Sequence, residues 1–311
     1  MKGISLVSSN SIPNDQDMQS IKSIHANWVS LNPYAFLRKN SGHLFYNHRR
    51  QWKGERIKGI AEMAAQCHKN GLKVMIKPHV WVSEGMFTGE VGFSTDEEWK
   101  AFESEYSDYI LSYAELADSL NLELLCIGTE WKNFVQSRPE YWENLILKIR
   151  DQYKGPLVYA ANWDEYELVP FWDQLDYIGI DAYMPLDSSR IPQKNTLINS
   201  WNSISKQIND LSDAYQKHVI FTEFGYRSIE YTAHEPWRSY HEPAVSLEAQ
   251  AIAFDAFFNS VWQDKHVVGG FIWKWYQSYD DQQLKRISGF TPQHKPAEQI
   301  IRGHYSRSPA K

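Results

Sequence analysis

Val219-Ile220-Phe221-Thr222-Glu223-Phe224-Gly225-Tyr226 runs an apolar strand straight into a glutamate, and Cys126-Ile127-Gly128-Thr129-Glu130 does the same earlier in the chain. A glutamate at the C-terminal end of a buried strand points toward the mouth of the sheet, where (β/α)8 barrels build their sites from strand ends and the loops after them. Working outward from these two stretches, short apolar runs alternate with helical patterns, the mark of βα units and a parallel sheet. Eight runs read as strands: 3–7, 26–31, 73–77, 122–127, 156–160, 177–180, 218–222 and 269–272. Ser94-Thr95-Asp96-Glu97 and Ser137-Arg138-Pro139-Glu140 read as helix-starting capping boxes, and Asn70-Gly71 as a helix stop. Leu197, Trp201, Ile204, Ile208 and Leu211 share one helical face, as do Leu247, Ala251, Phe254, Phe258 and Val261. No linker, low-complexity tract or repeat divides the chain, so the expectation is one α/β domain over 1–311, a single (β/α)8 TIM barrel. The stretches 32–53 and 226–243 are expected to be long loops at its C-terminal face, where long loops shape sites.

The 311 residues suffice for such a barrel, which needs about 250. Hydrophobic residues at 42% and charged ones at 23% exclude disordered and fibrous classes. A net charge of −6 argues against nucleic acid and anionic membranes as partners. The basic cluster His48-Arg49-Arg50-Gln51-Trp52-Lys53 reads as a solvated surface. Cys67 falls in a helical pattern and Cys126 in an apolar strand, so no disulfide is expected. No run reaches membrane-spanning length. The start, Met1 to Val7, enters a strand pattern without a signal-peptide core, which suits a cytoplasmic chain, or a secreted or periplasmic one whose leader has been removed.

Polar and aromatic residues follow several strands and converge on one rim: Lys77-Pro78-His79-Val80-Trp81, Asn162-Trp163-Asp164, Asp181-Ala182-Tyr183 and Trp273-Lys274-Trp275-Tyr276. Thirteen Trp and eighteen Tyr exceed what a core of this size requires, and sugar rings have apolar faces that stack on indoles. Hydrolysis of a glycosidic bond needs two carboxyl groups, one protonated to help the leaving oxygen depart and one ionised to attack or to activate water. Glu130 and Glu223 are that pair. For retention of configuration their oxygens should stand about 5–5.5 Å apart. Glu62, Glu84, Glu165 and Glu235 follow no strand as cleanly and read as solvated surface glutamates. His234-Glu235 and His241-Glu242 resemble fragments of a zinc motif, but Pro236 and Pro243 prevent the helix such a pair requires, so no metal is expected. Neither a Walker loop, a dinucleotide fingerprint nor a nucleophile-elbow serine occurs, so no cofactor is expected.

At Gly128-Thr129-Glu130-Trp131, Thr222-Glu223-Phe224-Gly225-Tyr226 and Gly179-Ile180-Asp181-Ala182-Tyr183 the chain resembles the clan A retaining β-glycosidase barrels. Within that clan it is most similar to family 113, the β-mannanases, a likeness extended by Phe290-Thr291-Pro292 and Lys295-Pro296-Ala297-Glu298. The resemblance implies an acid/base role for Glu130, a nucleophile role for Glu223, and action on β-1,4-mannosidic bonds of mannan or manno-oligosaccharide without metal. Thr129 departs from the clan pattern, which places Asn before the acid/base to grip the sugar 2-hydroxyl. That task is then left to Asn162 or His79. Another β-glycan (glucan, galactan or xylan) and a non-catalytic sugar-binding barrel are the alternative readings.

The remaining site candidates follow from chemistry. Tyr183 is placed to donate a hydrogen bond to Glu223 and keep it ionised, while Glu130 sits in a drier setting with a raised pKa. Trp273 is the candidate platform under the cleaved sugar, and Trp28, Trp81 and Trp275 are further stacking candidates. Lys77, His79, Asn162 and Asp181 are candidates for binding hydroxyls, with Asp181 equally suited to accepting backbone hydrogen bonds from a neighbouring loop.

Overall fold

A computed structural model describes residues 1–39, 41–238, 243–277 and 287–307. Eight parallel strands close into a barrel: β1 (Lys2–Leu6), β2 (Trp28–Leu31), β5 (Lys73–Ile76), β7 (Leu124–Thr129), β8 (Leu157–Asn162), β9 (Tyr177–Asp181), β10 (Val219–Phe224) and β11 (Val267–Trp275). These are the eight apolar runs of the sequence, shifted by up to three residues at their ends. The fold is a TIM barrel.

Period-two alternation sorts each strand into lumen and outer positions. Leu124 and Cys126 of β7, Val158 and Ala160 of β8, and Met75, Ile220 and Phe271 fill the lumen. Their neighbours Leu125, Ile127, Leu157, Tyr159 and Ile178 face a ring of helices. That ring includes α1 (Asp15–Ser23), α2 (Ile57–Lys69), α3 (Asp96–Ser119), α4 (Lys132–Ser137), α5 (Pro139–Gln152), α6 (Lys194–Tyr215), α7 (Leu247–Phe258) and α8 (Pro296–Ser306). A capping box starts α3 one residue later than Ser94 and Glu97 suggest, between Thr95 and Glu98. Ser137 instead ends α4, and α5 starts from Arg138 with Pro139 in its first turn and no side-chain cap. Val261 falls past the end of α7, in a 3-10 turn. Cys67 and Cys126 are both buried and free.

The stretch 32–53 is more ordered than a loop. It holds β3 (Tyr34–Leu37) and β4 (Leu44–Phe45), which join β6 (His79–Val82) in a small separate sheet. Alternation builds this sheet too: Ala35, Leu37, Val80 and Val82 turn inward and are buried. Tyr34 and Phe36 pair in register with His79 and Trp81, which places four rings on the opposite face. The barrel and this sheet thus make two rims of one opening.

No helix among the described residues is long and apolar enough to cross a membrane.

Candidate active site

Strand irregularities aim the site residues. β10 runs regularly against β9 until Phe221, then Thr222 and Glu223 stand against one step of β9. Such a bulge re-aims a side chain. Without it Glu223 would share the outward parity of Phe221. β7 shows the same device: its register against β8 shifts between Cys126 and Thr129. Gly128 lies within that shift, and a Cβ there would stand 2.7 Å from the Trp142 ring. Glu130 follows in the left-handed region at φ 56, a conformation that costs a non-glycine residue about 1–2 kcal/mol. Its amide donates to the Ala160 carbonyl at 2.8 Å.

Glu223 is buried and tightly held. Lys77 Nζ donates to Glu223 Oε1 at 2.6 Å, and Tyr183 Oη donates to Oε2 at 2.8 Å. Lys77 reaches the spot because it continues the lumen parity of Met75. Its other two hydrogens go to Asp181 Oδ1 and Oδ2, both at 2.9 Å. Thr222 Oγ1 also donates to Asp181 Oδ1, at 2.7 Å. Burial disfavours the charge on Lys77, but Asp181 and Glu223 outweigh it and hold its pKa above the ordinary lysine value. Burial raises Glu223, and the Lys77 charge and the hydrogen bonds from Lys77 and Tyr183 pull it back. Glu130 is raised well above the ordinary carboxyl value, by burial first and then by the Asp181 and Glu223 charges. The Asp181 and Glu223 charges thus act on the Glu130 carboxyl.

His79 Nε2 lies 3.4 Å from Glu223 Oε1 without making a hydrogen bond among the described residues. Burial, aided by the Lys77 charge, pushes this imidazole far below its ordinary pKa and keeps it neutral. Its ring packs between Tyr34, at 5.1 Å and 34°, and Trp273, stacked at 5.9 Å and 26°. From there a cleft of about 1000 Å³ opens, walled by Tyr34, Phe36, Trp52, Trp81, Trp273 and Tyr276. Its polar edge includes Asn32, Glu55 and Lys274. Apolar faces with a few hydrogen-bonding groups suit a sugar chain.

The structure therefore brings Glu130, Glu223, Lys77, His79, Asp181, Tyr183 and Trp273 together, with Trp81 half-exposed on the cleft wall. Lys77 and Asp181 are fully buried, with the three Lys77 hydrogens taken by Asp181 and Glu223 and Asp181 also accepting from Thr222, so neither is free to bind a sugar hydroxyl. Asn162 reaches the rim, where its amide donates to Asp164 Oδ1 at 2.8 Å. Thr129 donates to the Pro78 carbonyl at 3.3 Å and is buried, so its hydroxyl does not face the opening.

Two stacking candidates are corrected. Trp28 is the first residue of β2, on the lumen parity at the foot of the barrel, packed edge-on against Phe271 with Lys73 Nζ 5.6 Å from its ring. Trp275 lies at the mouth end of β11, but the register against β1 shifts after Ile272 and turns it into the outer core, 1% exposed. Neither ring can carry a sugar. Tyr34, Phe36 and Trp52 went unrecognised in sequence, although Tyr34-Ala35-Phe36-Leu37 carries a strand's alternation. Glu165, expected at the surface, is 2% exposed. No cluster of three metal-ligating side chains occurs among the described residues; His241-Glu242 lies outside them.

A parallel eight-stranded barrel with two strand-end glutamates facing one space beside an aromatic cleft has the design of a barrel glycoside hydrolase. The model of glycoside hydrolase family 113 matches residues 10–295, and the chain belongs to that family. Among solved structures it is similar to the GH113 beta-mannanase AaManA from Alicyclobacillus acidocaldarius, in complex with ManMIm. The two are 25% identical, with a TM-score of 0.85 over 98% of this chain and 97% of the other. A GH113 beta-1,4-mannanase in a complex structure shares the fold at 23% identity and a TM-score of 0.87 over 99% of both chains. The Faecalibacterium prausnitzii beta-glucuronidase shares it more distantly, at 14% identity and a TM-score of 0.65 over 98% of this chain and 48% of that one. No curated protein matches the chain by sequence.

Proposed function

We propose that this family 113 chain, 1–311 acting as one catalytic domain, hydrolyses β-1,4-mannosidic bonds in mannan or manno-oligosaccharides with retention of configuration. Glu223 is the nucleophile and Glu130 the acid/base. The observation that carries the division is the unequal solvation of the two carboxyls. Lys77 and Tyr183 donate to Glu223 and favour its anion. Glu130 receives no such donors among the described residues, and burial keeps its proton on.

In the first step a Glu223 oxygen attacks the anomeric carbon as the bond to the leaving oxygen breaks, and Glu130 gives that oxygen its proton. In the second, Glu130 takes a proton from water, the water oxygen attacks the same carbon, and the ester bond to Glu223 breaks. Both steps pass through a cationic sugar beside a buried carboxylate, where a low dielectric strengthens the attraction. The leaving group must lie beside Glu130, so the cleft on the β1, β2 and β11 side receives the other end of the chain, with Trp273 and Trp81 as stacking faces.

Mannose as the sugar rests on the family and on the resemblance to AaManA, which was captured with ManMIm. Product analysis with β-1,4-manno-oligosaccharides tests it: wild type should yield shorter oligosaccharides, and Glu223→Ala should yield none. Cleavage of β-glucan, galactan or xylan oligosaccharides in place of the manno-series would overturn the sugar assignment while leaving the mechanism standing.

A further inference from the structure

The left-handed turn that carries Glu130 is clamped from behind. Trp131, the next residue, donates its backbone amide to Tyr159 Oη at 2.7 Å, and its indole Nε1 donates to Tyr106 Oη at 3.0 Å. Tyr106 in turn donates to the Ile127 carbonyl at 3.1 Å. Tyr159 lies on the outer parity of β8 and has one hydroxyl hydrogen. Since its oxygen accepts from Trp131, that hydrogen goes to Glu165 Oε1, 3.0 Å away. Glu165 is set by the turn after β8, where its amide donates to the Asn162 carbonyl at 3.0 Å.

Glu165 is thus a buried carboxyl group whose Oε1 accepts from Tyr159 and whose Oε2 has no partner among the described residues. A surface glutamate would be solvated, and a structural one would be saturated; burying a carboxyl half-satisfied is costly, so its position calls for a reason. We propose that Glu165 is a positioning residue for the acid/base: through Tyr159 it fixes the Trp131 amide and hence the Glu130 turn. This rests on reading Glu130 as the acid/base.

The surroundings agree. Burial pushes Glu165 up to about 7, with the Asp164 and Asp181 charges adding to it and the hydrogen bonds from the Asn162 turn and Tyr159 opposing. Asp164 is itself paired with Lys132 at 2.8 Å, at the outer edge of the turn. Glu130 feels the Glu165 charge in the same sense, toward keeping its proton. Glu165→Gln keeps an acceptor for Tyr159 and removes the charge. Tyr159→Phe removes the clamp.

The test compares wild type, Glu165→Gln, Glu165→Leu, Tyr159→Phe and Glu130→Ala on 2,4-dinitrophenyl β-mannoside and on β-1,4-mannotetraose. The first leaving group departs without a proton and the second needs one. Tyr159→Phe should lose on the order of 10-fold in kcat/KM on mannotetraose, the size expected for orphaning one buried amide, and little on the aryl glycoside. Glu165→Gln, which keeps the acceptor, should stay near wild type on both substrates, whereas Glu165→Leu should repeat the selective loss of Tyr159→Phe. Equal losses on both substrates for Tyr159→Phe, or a Glu165→Leu variant with the wild-type ratio of the two substrates, would overturn the proposal. Glu130→Ala is the control for the parent reading: if it does not favour the aryl glycoside, the acid/base assignment itself falls.

Discussion

Glu130 and Glu223 each close an apolar strand, each follow a register shift, and each face the same opening, yet their neighbours differ in kind. Glu223 has an ammonium and a phenol on its two oxygens. Glu130 is set by its backbone, through a left-handed turn backed by Trp131, Tyr159 and Glu165. One carboxyl is held by side-chain donors that favour an anion, the other by a scaffold that leaves the carboxyl itself dry. Two equal groups in one site acquire opposite tasks from their neighbours.

The sharpest way to break this comparison is to remove each carboxylate in turn. Glu223→Ala should reduce kcat/KM by about 10⁴-fold or more, the scale seen when a nucleophile is deleted. Azide should restore part of the turnover and give the inverted glycosyl azide, read by NMR of the product. Glu130→Ala should cost about 10²–10⁴-fold on oligosaccharides, the range for a lost general acid, and much less on aryl glycosides with good leaving groups. If the two variants showed the same leaving-group dependence, the division of roles would be wrong.

The contrast also explains what could be read from the chain alone. The barrel was legible because lumen and outer residues alternate along runs that end in polar side chains, and the glutamates stood out for the same reason. Tyr183 beside Glu223 was foreseen by chemistry and is found there. What failed were readings that treated a strand as uniform. Trp275 reads as a rim residue until one counts the irregular step after Ile272, which no local propensity announces. Trp28 sits at the wrong end of its strand, since the run begins two residues later than its apolar pattern. Lys77 and Asp181 belong to strands far apart in sequence, and only barrel closure makes them partners. The small sheet of β3, β4 and β6 was hidden because its strands lie in the connections after barrel strands, outside the alternation of βα units that marked the barrel.

Removing the cation tests the Glu223 side at smaller scale. Lys77→Met leaves Asp181 and Glu223 buried without their shared ammonium, and breaking a buried ion pair costs about 3–5 kcal/mol. Denaturant unfolding near neutral pH should show a lower midpoint. The surviving enzyme should need a higher pH to ionise Glu223, which moves the acid limb of kcat/KM upward. An unchanged midpoint would mean that the three groups do not share one buried cluster.

The finest test is the phenol. Tyr183→Phe removes one donor to an ionised group, worth about 1.5–3 kcal/mol, and so should lower kcat/KM by about 10- to 100-fold without altering the barrel. The sign of its pH effect follows from linkage. In the folded chain Glu223 is raised from 4.5 to about 7, so its contribution to stability is fully present below pH 4.5 and is lost as the pH rises through about 7. Tyr183 opposes that rise by favouring the carboxylate. Its removal should lift Glu223 further, shift the acid limb of activity to higher pH, and extend the decline of unfolding free energy to higher pH. Glu130 has no comparable donor to lose among the described residues, so the alkaline limb should stay in place. A variant in which both limbs moved together would show that the two carboxyls share one environment and not two.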